Sequence, residues 1–153
     1  MKHWLIKSEP ATFGIEDLAA APHRRTGWYG VRNYQARNML RDEMDKGDLA
    51  FFYHSSCAAP GIYGIVKVVK AGYPDPTAFE RGHDDYDPAS DPAVPRWFAV
   101  DVELVRPLAQ PIALATLKAH ARALGDLAVL RKGNRLSITP VTAEQWRRVL
   151  ALA

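Results

Sequence analysis

The hydrophobic and polar positions of this chain fall into readable periods, and the periods predict its elements. Residues 3–7 read as a short strand that Pro10 ends, and residues 15–20 as a short helix closed by Ala21 and Pro22. From residue 32 to 44 the period turns helical. Ala36, Met39, Leu40 and Met44 form one apolar stripe, and Asn33, Arg37 and Arg41 share another face. Lys46-Gly47-Asp48 closes this helix with a cationic turn and a C-cap glycine. Residues 49–54 are a near-continuous apolar run, suited to a strand buried on both faces. Residues 62–70 are a second strand rich in β-branched side chains.

Residues 71–95 read as a long, acidic, proline-rich loop. Strict alternation follows, with Phe98, Val100, Val102 and Leu104 on one side and Asp101 and Glu103 on the other. The pattern then predicts a helix over residues 113–123 and a short strand over 135–138. The start of the last helix is the best marked: Thr142 and Gln145 have capping-box spacing, and Val141 and Trp146 have hydrophobic-staple spacing. With no internal repeat and no linker, residues 1–153 read as one domain. Its class is α+β, a compact mixed barrel with helices at both ends.

Composition narrows the picture modestly. The 153 residues are 48% apolar and 24% charged, enough for one core and unlike a disordered or coiled-coil chain. No apolar run approaches the roughly 20 residues that span a bilayer, and the first residues lack a signal-peptide pattern. The lone Cys57 suits a reducing compartment, so a cytoplasmic location is expected. The net charge of +3 is a mild basic excess, supplied mostly by arginine, whose forks pair phosphates well.

The densest chemistry lies in residues 27–38, Gly-Trp-Tyr-Gly-Val-Arg-Asn-Tyr-Gln-Ala-Arg-Asn. Aromatic faces, amides and guanidinium forks hold an unstacked base and its phosphates. The segment has no Cys, His or carboxylate to act as nucleophile or base, so it points to recognition before catalysis. Trp28 is either a wall of a base pocket or a core tryptophan. Asn33 can read a base edge or cap the helix, and Tyr34 is as suited to a core as to a pocket. Ser8 and Glu9 stand at a sheet end, where Glu9 can accept from an exocyclic amine or remain solvated. Arg37, Arg41, Arg131, Lys132 and Arg135 are phosphate contacts or simply solvated charges. His54 and Cys57 are three apart, a spacing that argues little for catalysis, and the acids near His83 lack calcium-loop spacing.

Several blocks together resemble the EVE domain family of the PUA-like superfamily, which also contains the YTH readers of methylated adenine. They are residues 4–10 (Trp-Leu-Ile-Lys-Ser-Glu-Pro), 28–38, 46–48 with 52–55, 73–77 (Tyr-Pro-Asp-Pro-Thr) and 135–137 (Arg-Leu-Ser). The resemblance implies a pseudo-barrel of five or six strands flanked by helices. It also implies a pocket for a modified base, formed by Ser8, Glu9, Trp28, Asn33, Tyr34, Tyr53, His54 and Ser55. Lys7, Arg32, Arg37, Arg41, Arg131, Lys132 and Arg135 would meet the nucleic-acid backbone. The implied activity is non-catalytic binding of DNA or RNA carrying a modified base, with no cofactor, no metal and no membrane contact. The alternatives are a small enzyme acting on nucleoside-like substrates in that pocket, or a sensor of free nucleosides.

Overall fold

The computed structural model describes residues 1–153. Six strands make one mixed sheet: β1 (His3–Ser8), β2 (Arg25–Gly27), β3 (Leu49–His54), β4 (Gly61–Pro74), β5 (Phe98–Ala113) and β6 (Ile138–Val141). Their order is β2-β5-β4-β3-β1-β6, and only β1 and β3 are parallel. A parallel pair needs a long crossover. Here the crossover carries α1 (Ile15–Ala20), β2 and α2 (Tyr34–Asn38). The last two helices, α3 (Leu114–Ala119) and α4 (Ala143–Leu150), follow β5 and β6. The α+β class and the strand number are those expected. The sheet is open, because the edge strands β2 and β6 do not pair with each other.

Alternation along the strands divides the interior in two. Trp4, Ile6, Ala50 and Phe52 point into one core with Trp28, Ala36, Leu40, Val100, Val102 and Leu104. Leu5, Phe51 and Tyr53 point into the other with Ile62, Leu117, Trp146 and Val149. β3 is therefore buried on both faces, as its apolar run predicts. Phe51 stacks on Trp146 at 3.8 Å between ring centroids, and the capping box of Thr142 and Gln145 starts α4 where the sequence placed it.

Five boundaries differ from the sequence reading. The alternation of β5 stops at Leu104, while the strand continues to Ala113 by pairing with β4. The helix expected over 32–44 is one α-helical turn followed by a π-helical turn, Met39–Glu43. β4 continues to Pro74 through several register shifts, and Pro76–Phe79 forms a 3-10 turn, so the loop expected from residue 71 starts later. The third helix stops at Ala119. The last strand moves to Ile138–Val141, where pairing with His3–Ile6 outweighs local pattern. Buried Asp48 locks β1 to the turn before β3 by accepting from Trp4 Nε1 (3.0 Å), Lys2 N (2.9 Å) and Asp45 N (2.9 Å). No helix is long and apolar enough to cross a membrane.

Candidate functional site

At the C-terminal end of β1 the structure opens into a cavity of about 750 Å³, within the usual size of a small-ligand site, roughly 300–1,000 Å³. One wall is Lys7, Ser8 and Glu9 with Thr12 and Phe13 of the following turn. The facing wall is residues 27–32, and Thr77, His83, Asp85 and Ser137 complete the rim.

The first wall is fixed by backbone hydrogen bonds. Thr12 N and Phe13 N both donate to Glu9 O at 2.9 Å, and Ser8 Oγ donates to Phe13 O. Behind the turn, Ile15 N donates to His54 Nε2 at 3.1 Å, and the imidazole stacks on Tyr63 at 3.9 Å. That acceptor role requires an unprotonated Nε2. Burial also pushes the His54 pKa below its ordinary value. Glu9 is exposed and its carboxylate has no hydrogen-bond partner in the protein. Lys7 also lacks a side-chain partner, and burial pushes its pKa down.

The second wall hangs from β5 and is clamped by one carboxylate. Trp28 N donates to Val100 O at 2.8 Å, and the indole is 8% exposed, edge-on to Phe52 at 5.6 Å. Tyr29 is 42% exposed and folds back over Gly27, where a Cβ would lie 2.2 Å from its ring. Gly30 has φ +82°, so its amide can turn inward to Asp75 Oδ2 at 2.8 Å. A Cβ there would also come within 2.6 Å of Asp85 Oδ2. Asp75 is fully buried and further accepts from Arg32 Nη1 (3.1 Å), Thr77 N (2.8 Å) and Thr77 Oγ1 (2.6 Å). Burial alone would raise its pKa, but the hydrogen bonds from Thr77, Gly30 and Arg32 outweigh it and hold the carboxyl below its ordinary value.

The cavity thus gathers Ser8, Glu9, Trp28, Lys7 and Arg32 from the expected residues. It does not gather the other five of the expected pocket. Asn33 caps α2, its Oδ1 accepting from Ala36 N at 3.1 Å. Tyr34 is 53% exposed, stacked on Trp97 at 5.0 Å with the Arg37 guanidinium 4.9 Å from its ring. Tyr53 points into the opposite core, because it follows Phe52 in a strand. His54 lies behind the turn, and Ser55 donates its backbone N–H to Ser8 O.

The expected phosphate contacts are largely engaged within the protein. Arg32 spends its fork on Asp75, Thr77 and the carbonyls of Val31 and Asp85, so it braces the wall. Arg37 donates to Arg96 O, Arg41 pairs with Asp42, and Arg131 pairs with Asp126 beside a separate hollow of about 450 Å³. Lys132 and Arg135 are exposed and unpaired. Residues 12, 13, 29, 77, 83, 85 and 137 were not among the expected pocket residues. The block at 73–77 was the available signal, since Asp75 and Thr77 hold the Trp28 loop. Cys57 does not line the cavity, and no group of three His, Cys, Asp or Glu is placed to hold a metal.

The fold defines a PUA-like α+β protein with one cavity at the end of β1. The EVE domain model matches residues 2–152, and this chain belongs to the EVE domain family. It is 49% identical to human thymocyte nuclear protein 1, covering 98% of this chain and 73% of the human protein. A crystal structure of the human protein in complex with DNA containing 5-methylcytosine matches with TM-score 0.92 and 48% identity. The match covers 99% of this chain and 97% of that one. A crystal structure of a protein from Pseudomonas putida matches with TM-score 0.92 and 47% identity, covering 98% of each chain.

Proposed function

We propose that this protein is a single-domain, non-catalytic reader of a modified base, with 5-methylcytosine in DNA as its ligand class. The observation that carries the reading is the combination of surfaces around one cavity large enough to admit a base. Phe13, Val31 and the exposed edge of Trp28 offer apolar contact to a base and its methyl group, and Tyr29 flanks its entrance. Glu9 and Lys7 share the cavity with a free carboxylate and a free ammonium. A carboxylate accepts from the exocyclic amine of cytosine, and an ammonium donates to a carbonyl or phosphate oxygen. The DNA-bound human relative supports the same ligand class.

A base enters such a cavity only after leaving the stack, at a cost of a few kcal/mol, so the site must return that energy through contact area. Two candidate reactive groups are engaged within the fold. Ser8 Oγ donates to a backbone carbonyl, and the imidazole of His54 is engaged behind the turn. We infer that the ligand is bound and released unchanged, in the cytoplasm, where the free Cys57 stays reduced. The test is a titration against DNA and RNA oligonucleotides that differ in a single modified base, with their masses followed afterwards. Tighter binding of the 5-methylcytosine strand with unchanged mass is expected. A product that disappears with Glu9→Gln would replace the reader with an enzyme.

A further inference from the structure

The cavity takes up one nucleotide, which leaves the flanking phosphates to be met elsewhere. Edge strand β2 forms part of the cavity through Thr26 and Gly27. Its first residue, Arg25, belongs to a different hollow of about 260 Å³ on the outer side of the sheet. Cross-strand register explains the split. Arg25 pairs with Glu103 of β5, and Glu103 pairs with Lys67 of β4, so these three side chains stand in one row. Their neighbours Val102 and Val68 face the opposite way, into the first core. Lys46 joins the row because Gly47 N donates to Val68 O at 2.8 Å, tying the turn before β3 to β4.

The hollow adds cations to Lys132 and Arg135, the unpaired members of the expected basic face. Arg37, Arg41 and Arg131 all have partners within the protein. In the hollow three cations share one carboxylate, Glu103, which accepts from Arg25 Nε at 3.1 Å. Lys46 and Lys67 are exposed and unpaired, and exposed Arg24 adjoins the row. The ammonium groups are therefore free to pair with phosphates and release the counterions condensed on the nucleic acid. From Arg25 to Gly27 is two residues of strand, about 7 Å, so one strand can drape over β2 and touch both places.

We propose that Arg25, Lys46 and Lys67 form a phosphate-binding footing for the nucleic-acid strand whose base occupies the cavity. This rests on the reader function proposed above. The footing supplies affinity without base preference, and the cavity supplies the preference.

The test is a duplex with one 5-methylcytosine and its unmodified counterpart, titrated at several salt concentrations against the parent protein, Lys46→Gln/Lys67→Gln and Lys118→Gln. Lys118 is exposed and unpaired on α3, so it controls for net charge. Melting curves check that every variant is folded. The footing predicts that the double variant lowers the log–log salt slope by about 1.8, or about 0.9 for each phosphate left without its lysine. Both duplexes weaken alike, the preference survives, and Lys118→Gln leaves the slope near that of the parent. A parental slope in the double variant, with the preference intact, overturns the footing while leaving the reader standing. An equal fall per charge removed in Lys118→Gln also overturns it, in favour of a general charge effect. A parent that neither prefers the modified duplex nor responds to salt overturns the reader and the footing together.

Discussion

Two segments rich in aromatic and polar residues stand on either side of Phe52, and they behave differently. Residues 27–32 lie outside regular structure beyond Gly27 and deliver consecutive residues to one cavity, because a positive φ at Gly30 and the Asp75 clamp let the chain turn as it passes. Residues 53–55 end a regular strand. Tyr53 is sent to the far core, and His54 is spent on holding α1. Reactive side chains at a strand end are divided by the pleat, whereas an irregular segment can gather them if something buried pins it.

Removing the pin gives the largest effect. Asp75→Ala leaves the Gly30 amide, Thr77 and the Arg32 guanidinium without their shared acceptor. Loss of one partner of a buried ion pair costs about 3–5 kcal/mol. Denaturant unfolding should show this loss, and the surviving folded protein should lose base preference. Full stability would mean that the loop is held by Val100 and Arg32 alone.

A narrower change acts on the turn. Gly30→Ala forces a Cβ into a left-handed conformation at a cost of about 1–2 kcal/mol and into the Asp85 carboxylate 2.6 Å away. Melting should show that modest loss, with a larger drop in affinity for the modified base than in stability. Equal affinity in the folded variant would detach the turn from the cavity.

The smallest effect belongs to the strand end. His54 is held neutral, with its pKa below the ordinary 6.5, so it contributes stability above pH 6.5. That contribution is lost as pH falls from 6.5 through the folded value, at no more than about 1.4 kcal/mol per pH unit. His3 is pushed down in the same direction, first by burial, and adds to the slope. His54→Asn, which can still accept from Ile15 N, should flatten the slope in part and leave base preference intact. A changed preference would bring His54 into the site as a positioning residue.

The same contrast explains what could be read in the sequence. Regular elements were legible wherever period and caps agreed, as in β3, β5 and the Thr142 box of α4. The Trp28 segment stood out by composition, and Ser8 and Glu9 by their place after a strand. Trp28 is a buried residue of the first core that also lines the cavity. The block at 73–77 marked Asp75 and Thr77 without revealing the clamp, which depends on a contact across 45 residues of chain. Ion pairing is not written in residue type: Arg32, Arg41 and Arg131, like Arg25, each meet a carboxylate.

The central claim is that base preference resides in the cavity between the end of β1 and residues 27–32. Glu9→Gln tests it most directly, because Glu9 lines the cavity, is exposed and has a carboxylate with no hydrogen-bond partner in the protein. Its stability should stay within about 0.5 kcal/mol of the parent. Competition between a 5-methylcytosine duplex and its unmodified counterpart is the measurement. The account predicts a parent that prefers the modified duplex and a folded Glu9→Gln variant that binds both more weakly and more nearly alike. A parent that binds both equally, or a variant that keeps the full preference, would contradict it.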